Sequence, residues 1–268
     1  RNPNLQQVPV RNKAIDANLI RTLFVPPPGL LWAKADYNSQ EPRLQVHYAL
    51  LKGLDGAREA AAVFASGRKL YSFIEEQAAI SYDDAKAATL ARSYGMMPKS
   101  FARKYHKTPD EAEEILNSFD TVCPYIGELA ADARAKADER GWIRTLGGGR
   151  RHFNWWEVLR WDRRDPTEHP DDYSPAVYGL EAAKERWPCR KVVRAYTNKA
   201  FNALIQGSAA DMTKKAMVDL HRAGIRVCLQ VHDELNAFVE SEKQALQMKE
   251  IMENTYRLKL PIVADLKV

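Results

Sequence analysis

The feature that most constrains the fold is a pair of alternating segments that flank an acidic dipeptide. In residues 227–231 and 235–239 every second side chain is apolar, and Asp233 and Glu234 lie between the two segments. A period of two is typical of a half-buried β-strand, so the pattern predicts an antiparallel hairpin with both carboxylates at its tip. Asp-Glu is not a favoured two-residue turn, and local turn chemistry therefore does not explain why two acids lie there.

Most of the remaining chain has helical patterns. An apolar run over residues 30–35 follows a proline-rich turn and predicts a strand that ends at Asp36. Helices are predicted over residues 42–51, 57–65, 71–80, 82–94, from 109 with Thr108 as its N-cap, 128–140, 196–220 and 242–256, followed by a final strand. Strands scattered among many helices predict the α+β class, with a small antiparallel sheet covered by helices.

The composition is that of a globular protein. Hydrophobic residues make up 45% of the 268 residues and charged residues 28%, which excludes disordered, collagen-like and low-complexity classes. The net charge of +5 fits a polyanionic partner, although solvated surfaces of this composition are as common. The 3 cysteines form no CxxC pair and are interpreted as free thiols in a reducing compartment. No apolar run approaches the ~20 residues that span a bilayer, so no membrane partner is expected.

Two aspartates are candidate metal ligands. Asp36 ends one predicted strand and Asp233 lies at the predicted hairpin tip. Each alone is more often a solvated turn acid, but at the ends of paired strands they could hold two Mg²⁺ ions. Two such ions clamp the attacking and leaving oxygens of a phosphoryl transfer. Glu234 either adds charge to that site or faces water.

A second candidate group lies on the predicted helix 82–94. Its members share one broad helical face: Tyr82, Lys86, Thr89, Leu90, Ser93 and Tyr94. A lysine with an aromatic ring two turns later could bind a triphosphate and stack a base, although an ordinary amphipathic helix is the commoner source of this pattern. An amide- and lysine-rich segment is suited to phosphate and minor-groove contacts or to a solvated face; it contains Asn198, Lys199, Asn202, Gln206 and Lys214.

Residues 152–194 contain four of the 6 tryptophans and an acidic, proline-containing loop. The pattern predicts an irregular insertion whose aromatic side chains pack a small subdomain, with stacking on a single-stranded template as the alternative. The insertion is assigned to residues 151–195.

In order along the chain, five motifs resemble the polymerase region of the A family of DNA polymerases, the DNA polymerase I-like enzymes, in particular the phage-type branch. The motifs are Asn2–Arg11, Asp36-Tyr-Asn-Ser-Gln-Glu-Pro-Arg43 with His47, Lys86 through Tyr94-Gly95-Met96, Ala203-Leu-Ile-Gln-Gly-Ser-Ala-Ala-Asp211, and Leu229-Gln-Val-His-Asp-Glu-Leu235. The resemblance covers residues 2–268. It implies a right-hand architecture in which 1–50 and 196–268 are palm and 51–150 is fingers, with the thumb segment preceding this chain. The chain is accordingly expected to be a piece of a larger polymerase.

The resemblance also implies a role for each matching residue. Asp36 and Asp233 would ligate the metals with the Tyr37 carbonyl, and Glu234 would add charge. Glu41 and Tyr94 would crowd a ribose 2′-hydroxyl, Lys86 would neutralise the triphosphate, and Leu90 would close on the nascent base pair. The remaining implied nucleotide contacts are Tyr37, Tyr71 and Tyr82, and the implied DNA contacts are Asn4, Gln6, Arg43, Asn202, Gln206 and His232.

The implied reaction is template-directed addition of deoxynucleotides to a primer 3′-end, with pyrophosphate release. Two Mg²⁺ ions, replaceable by Mn²⁺, would be the cofactors, and primer-template DNA and deoxynucleoside triphosphates the partners of a monomer. The cytoplasm of a bacterial or phage-infected cell would be its location. A two-metal phosphodiesterase or nuclease, or a non-catalytic DNA-binding remnant, are the alternatives.

The chain departs from the family pattern in several places. Tyr82 occupies the position of an arginine, and Tyr71 that of a histidine, so triphosphate binding would depend on Lys86 unless Arg92 or another basic residue turns inward. The first catalytic motif has Asn38-Ser39-Gln40 in place of Ser-Gln-Ile, and Gly147–Gly149 replaces part of an arginine-rich turn.

Overall fold

The computed structural model describes residues 24–163 and 175–268, apart from the side chain of residue 161. The strands are β1 (Leu31–Tyr37), β2 (Trp142–Arg144), β3 (Arg150–His152), β4 (Trp155–Val158), β5 (Val177–Tyr178), β6 (Val192–Arg194), β7 (Arg226–Val231), β8 (Glu234–Val239) and β9 (Ala264–Lys267). The helices are α1 (Gln40–Lys52), α2 (Ala57–Ala65), α3 (Leu70–Ala78), α4 (Tyr82–Ser93), α5 (Pro98–Tyr105), α6 (Pro109–Val122), α7 (Pro124–Arg140), α8 (Leu180–Arg186), α9 (Ala200–Arg222) and α10 (Glu242–Asn254), with 3₁₀ turns at Arg160–Asp162 and Thr197–Lys199. The predicted α+β class is confirmed. None of these helices is long and apolar enough to cross a membrane.

Residue contacts divide the described chain into two compact units. The first contains residues 24–44 and 209–268, and the second contains 45–163 and 175–208. The boundaries fall inside α1 and α9. The palm and fingers assignments of the four predicted segments stay predictions.

The first unit is built on a four-stranded antiparallel sheet in the order β7-β8-β1-β9. Ala33, Ala35 and Tyr37 of β1 are buried, whereas the intervening residues, including Asp36, are half-buried. This alternation follows from the period of two in a strand. One face of the sheet packs against the core, and the other face carries Asp36 in a half-buried position.

The hairpin is confirmed, but its turn differs from the prediction by one residue. Its turn residues are His232 and Asp233, while Glu234 begins β8 opposite Val231 and Asp36. The prediction that Glu234 lies at the tip was therefore wrong, because the ladder continues one residue further than the side-chain alternation indicated. His232 has a φ of 56°, in the left-handed region that a tight two-residue turn requires.

The predicted helices are present; α2 has the predicted bounds, and the others have shifted ends. The predicted N-cap of α6 is confirmed: the Thr108 hydroxyl accepts from the Glu111 N–H while the Glu111 carboxylate accepts from the Thr108 N–H. Helix α5 was not predicted. It begins at Pro98 and carries basic residues in its last turn, two terminal signals that the sequence did contain.

The tryptophan-rich segment is not irregular where it is described, so that prediction was wrong. Strands β5, β4 and β6 form an antiparallel three-stranded sheet, and Val158, Ala183 and Trp187 form its own small core. The packing interpretation is confirmed for Trp187, whereas Trp155 is 45% exposed. The acidic, proline-containing loop lies largely outside the described residues, as does the Trp161 side chain.

The β2–β3 hairpin packs closely against α9 in the second unit. The Leu146 N–H donates to the Ser208 hydroxyl at 3.0 Å. A β-carbon at the adjacent Gly207 would lie 2.6 Å from Cγ2 of Thr145 and 3.2 Å from Nε of Arg151. Glycine at position 207 is therefore what allows this approach.

Gly207→Ala is expected to destabilise the protein by about 1–3 kcal/mol, because the overpacking against Thr145 outweighs the gain in helix propensity. Gly127 of α7 is the matched control, since nothing lies within 4 Å of a β-carbon built there. Gly127→Ala is expected to stabilise the protein by up to about 1 kcal/mol. Urea unfolding of both variants measures the two changes, and equal signs would contradict the packing argument.

Candidate active site

The site in the first unit is a group of carboxylates at one end of the sheet. Strand register places Asp36 directly between Glu234 of β8 and Asp265 of β9. Directly opposed residues in antiparallel strands project to the same face, so three acids form a row across this end. Asp233, in the adjoining turn, is the fourth.

The Asp36 and Asp233 carboxyls lie close enough for each to shift the pKa of the other. Burial raises the pKa of Asp36 to about 6, and the charges of Asp233, Glu234 and Asp265 contribute in the same direction, whereas Lys34 opposes them. Burial also raises the pKa of Asp233, partly offset by backbone hydrogen bonding and by His232. Two carboxyls this close favour sharing a proton unless cations neutralise them.

Glu234 is held by neighbours on the same face of the sheet. It forms an ion pair with Lys34 of β1, and its Oε1 accepts from the Asn236 amide at 2.9 Å. The Asn236 Oδ1 in turn accepts from the Trp32 indole at 2.9 Å. These contacts fix the Glu234 carboxylate beside the Asp36–Asp233 pair.

Glu41 lies in the first turn of α1. Burial raises the pKa of its carboxyl, and the charge of Asp233 raises it further. Glu41 therefore lies close enough to Asp233 to experience its charge. The prediction that Glu41 and the aspartates share one site requires this proximity.

Tyr37 and Arg43 face other parts of the first unit. The Tyr37 side chain is buried on the opposite face of the sheet and donates to the Met252 carbonyl at 3.1 Å, and a role for its main-chain carbonyl as a metal ligand stays a prediction. Arg43 is 5% exposed and donates to the carbonyls of Asn38 at 2.8 Å and Pro261 at 2.6 Å. Its guanidinium thus joins the turn after β1 to the segment before β9, and a contact with DNA stays a prediction.

The second unit presents the other predicted groups. Lys86, Leu90 and Tyr94 recur every four residues along α4 and its C-cap, and all three are exposed. The Tyr94 hydroxyl accepts from the Gln206 amide at 2.7 Å, so these two residues are brought together. Lys86 and Leu90 line an open groove of about 520 Å³ together with Lys107.

The residues that depart from the family pattern make defined contacts within the second unit. The Tyr71 and Tyr82 rings pack edge to face with centroids 5.8 Å apart. Arg92 forms an ion pair with Asp120, so it is already engaged within the unit. Lys107 forms an ion pair with Asp84 at 2.9 Å.

The remaining predicted DNA contacts differ in exposure. His232 and Gln206 are exposed, and Asn202 is half-buried with an Oδ1 that has no hydrogen-bond partner among the described residues. Asn4 and Gln6 lie outside the described residues.

Sequence reasoning missed Lys34, Asn236 and Asp265. A lysine two residues before Asp36 on a strand shares its face, and that spacing was a usable signal. Asp265 was not recoverable in this way, because only the pairing of β9 with β1 brings it beside Asp36.

The donor set fits magnesium. Among the described residues no group of three or more His, Cys, Asp or Glu side chains is arranged to hold a metal by itself. Mg²⁺ is commonly bound through one or two carboxylates, with waters and substrate phosphates completing its shell. The adjacent Asp36 and Asp233 oxygens match that arrangement.

The fold is that of a polymerase domain. The structure of the POL domain of Pol1 from M. smegmatis, in complex with DNA primer-template and dNTP, matches with a TM-score of 0.72 at 26% identity, over 98% of this chain and 43% of that one. The model of DNA polymerase family A matches residues 1–268, and the chain belongs to this family.

Curated relatives agree with this assignment. The DNA-directed DNA polymerase of Pseudomonas phage M6 is 29% identical over 99% of this chain and 41% of its own length. The DNA polymerase I of Chloroflexus aurantiacus is 30% identical over 100% of this chain and 26% of its own length. The chain therefore spans less than half the length of these relatives.

Proposed function

We propose that this chain carries the nucleotidyl-transfer centre of a template-directed DNA polymerase. The reaction adds a deoxynucleotide to a primer 3′-end and releases pyrophosphate. The observation that carries the proposal is the contact between the Asp36 and Asp233 carboxyls at one end of the sheet, in a chain of DNA polymerase family A. It is further supported by the primer-template DNA and dNTP in the M. smegmatis structure.

The proposed cofactor is a pair of divalent cations held by Asp36, Asp233 and the Tyr37 carbonyl. When bound, these ions supply charge neutralisation and Lewis-acid activation of the reacting oxygens. The aspartates provide the negative charge that fixes the cations, and burial in a half-open site strengthens that attraction relative to water. Glu234, neutralised by Lys34, limits the total negative charge that an incoming triphosphate meets.

The primer 3′-oxygen attacks the α-phosphorus, and the bond from that phosphorus to the pyrophosphate oxygen breaks. The chain contributes positioning and charge stabilisation, which carry most of the catalysis of phosphoryl transfer. Lys86 neutralises the triphosphate, while Leu90 and Tyr94 present apolar surface to the nascent pair. Glu41 crowds the ribose 2′ position, and its location in the field of Asp233 supports a place next to the reacting centre.

The proposed DNA contacts are distributed over both units. The minor groove or the closed nucleotide site is contacted by Gln206, Asn202 and Arg43. The primer end is contacted by His232. The Gln206–Tyr94 hydrogen bond supports a link between minor-groove contact and the position of the helix α4 terminus.

Incubation of the protein with primed template, Mg²⁺ and labelled deoxynucleotides tests the proposal. We expect the primer to lengthen in the order that the template dictates. Shortening of the primer would instead indicate a two-metal nuclease, and a mobility shift without either change a binding remnant. Either result would overturn the proposed function.

A further inference from the structure

The second unit contains a cavity of about 660 Å³ between α7, β4, β6 and the 3₁₀ turn at residues 197–199. Its volume lies within the roughly 300–1,000 Å³ of ligand-binding pockets. The lining residues on which the argument rests are four arginines and two aromatic residues: Arg134, Arg160, Arg163, Arg194, Trp156 and Tyr196. None of these belongs to the proposed catalytic machinery.

The cavity wall carries an excess of positive charge. Two of its arginines face acids, because Arg163 donates to Glu157 at 3.1 Å and Arg134 lies 3.8 Å from Asp138. Arg160 is exposed in the 3₁₀ turn after β4 and has no ion pair with a described residue. The wall therefore offers an exposed guanidinium to an anionic ligand, and such groups are well suited to phosphate.

Arg194 and Trp156 form a rigid stacked pair on the same wall. The Arg194 guanidinium lies 4.5 Å from the Trp156 ring centroid and donates to the Phe153 carbonyl at 3.0 Å. Gly141 makes room for it, since a β-carbon there would lie 2.6 Å from the guanidinium carbon. A preformed flat surface of this kind requires little ordering when a ligand binds.

Tyr196 projects an aromatic ring from a constrained backbone. Its φ of 64° is uncommon for a tyrosine, the residue is 46% exposed, and both chain neighbours, Ala195 and Thr197, are buried. The Lys199 ammonium lies 4.9 Å from the ring centroid. Strained residues persist only where the surroundings enforce them, and such residues cluster at binding sites.

We propose that this cavity binds single-stranded DNA, with phosphates on Arg160 and its neighbours and a base stacked on Tyr196. Arginines interleaved with aromatic rings are the usual composition of single-strand sites, because every unpaired base offers a face for stacking. Bases in a duplex are already stacked on one another. The proposal rests on the proposed function for the source of the strand, which is the uncopied part of the template.

Tyr196→Ala and Arg160→Ala test the proposal in the full chain, with a fluorescent oligo-dT as the single-strand probe. We expect Tyr196→Ala to weaken binding at least about 5-fold, which corresponds to about 1 kcal/mol of lost stacking. Arg160→Ala should weaken binding and lower the slope of log affinity against log salt by about 0.7. Tyr196→Phe should retain the affinity, because it retains the ring.

The matched controls are Trp155→Ala and Arg58→Ala. Trp155 is an exposed aromatic residue outside the cavity lining, and Arg58 is an exposed arginine of α2. Neither should change the affinity for oligo-dT. Equal losses in the cavity and control variants, or no loss in Tyr196→Ala and Arg160→Ala, would overturn the proposal. Arg160 is exposed, so its variant remains informative even if a Tyr196 variant fails to fold.

Competition experiments show whether the cavity binds a DNA single strand or a free mononucleotide. A primer-template with an overhang of about ten nucleotides, within the roughly 4–16 that single-strand sites cover, should displace the probe better than a blunt duplex. Displacement by a free mononucleotide at the same nucleotide concentration would point to a mononucleotide pocket and overturn the single-strand assignment. Primer extension by the unaltered protein is scored separately, so failure of the proposed function is distinguishable from failure of this inference.

Discussion

Replacing Asp36 by asparagine is expected to abolish primer extension and, at the same time, to increase the free energy of unfolding above neutral pH. The loss of synthesis should exceed about 10³-fold, because the variant removes a proposed metal ligand rather than a single charge-stabilising donor, which alone contributes about 10²–10³-fold. Asp233→Asn should have the same effect on synthesis.

The expected gain in stability follows from the pKa of Asp36, which is raised to about 6 from an ordinary 3.8. A carboxyl with a raised pKa binds its proton more tightly in the folded state than in the unfolded state. Its contribution to stability therefore falls as the pH rises from about 4 through 6, and the folded state bears the cost of the charge above that range. Asparagine removes this charge.

Thermal unfolding measured without divalent cations from about pH 4 to pH 8 tests this expectation. The increase in stability caused by Asp36→Asn should be largest near pH 8 and should diminish as the pH falls below about 6. Asp55→Asn, at an exposed acid between α1 and α2, is the control and should alter neither synthesis nor the pH profile. A stability gain independent of pH, or retained synthesis, would contradict the account of the carboxylate pair.

Lys86→Ala is expected to lower kcat/KM for the incoming nucleotide by about 10²–10³-fold, the usual loss for one preorganised charge-stabilising group. The effect should be large here because the other basic residues near Lys86 are engaged. Arg92 pairs with Asp120, and Lys107 pairs with Asp84. Tyr82 and Tyr71 supply no positive charge.

Single-nucleotide incorporation kinetics on a primed template measure the loss, with Lys69→Ala as the control because Lys69 is an exposed lysine that precedes α3. Lys86 is exposed on α4, so the unfolding free energy of Lys86→Ala should stay within about 0.5 kcal/mol of the parent. If Lys107→Ala costs as much as Lys86→Ala, triphosphate binding is shared between the two lysines and the assignment to Lys86 alone is wrong.

Local sequence patterns were sufficient to predict an element where the structure of a short segment depends mainly on its own residues. The hairpin around Asp233, the N-cap at Thr108 and the strand that carries Asp36 each follow from period-two alternation or capping chemistry. The tryptophan-rich segment was mispredicted, because short strands such as β5 are stabilised by neighbours distant in sequence and have little local signal. Packing around Trp187 supplies what the local pattern lacks.

The sequence by itself determined that two acids lie at strand ends in a chain of helices around a small sheet, because period and turn chemistry are local properties. Only the tertiary structure decided which groups surround those acids. Strand pairing placed Asp265 and Glu234 on either side of Asp36, brought Lys34 to Glu234, and directed the Tyr37 side chain away from them. The raised pKa of Asp36 also depends on the tertiary structure, since burial and neighbouring charge arise from contacts between residues that are far apart in the sequence.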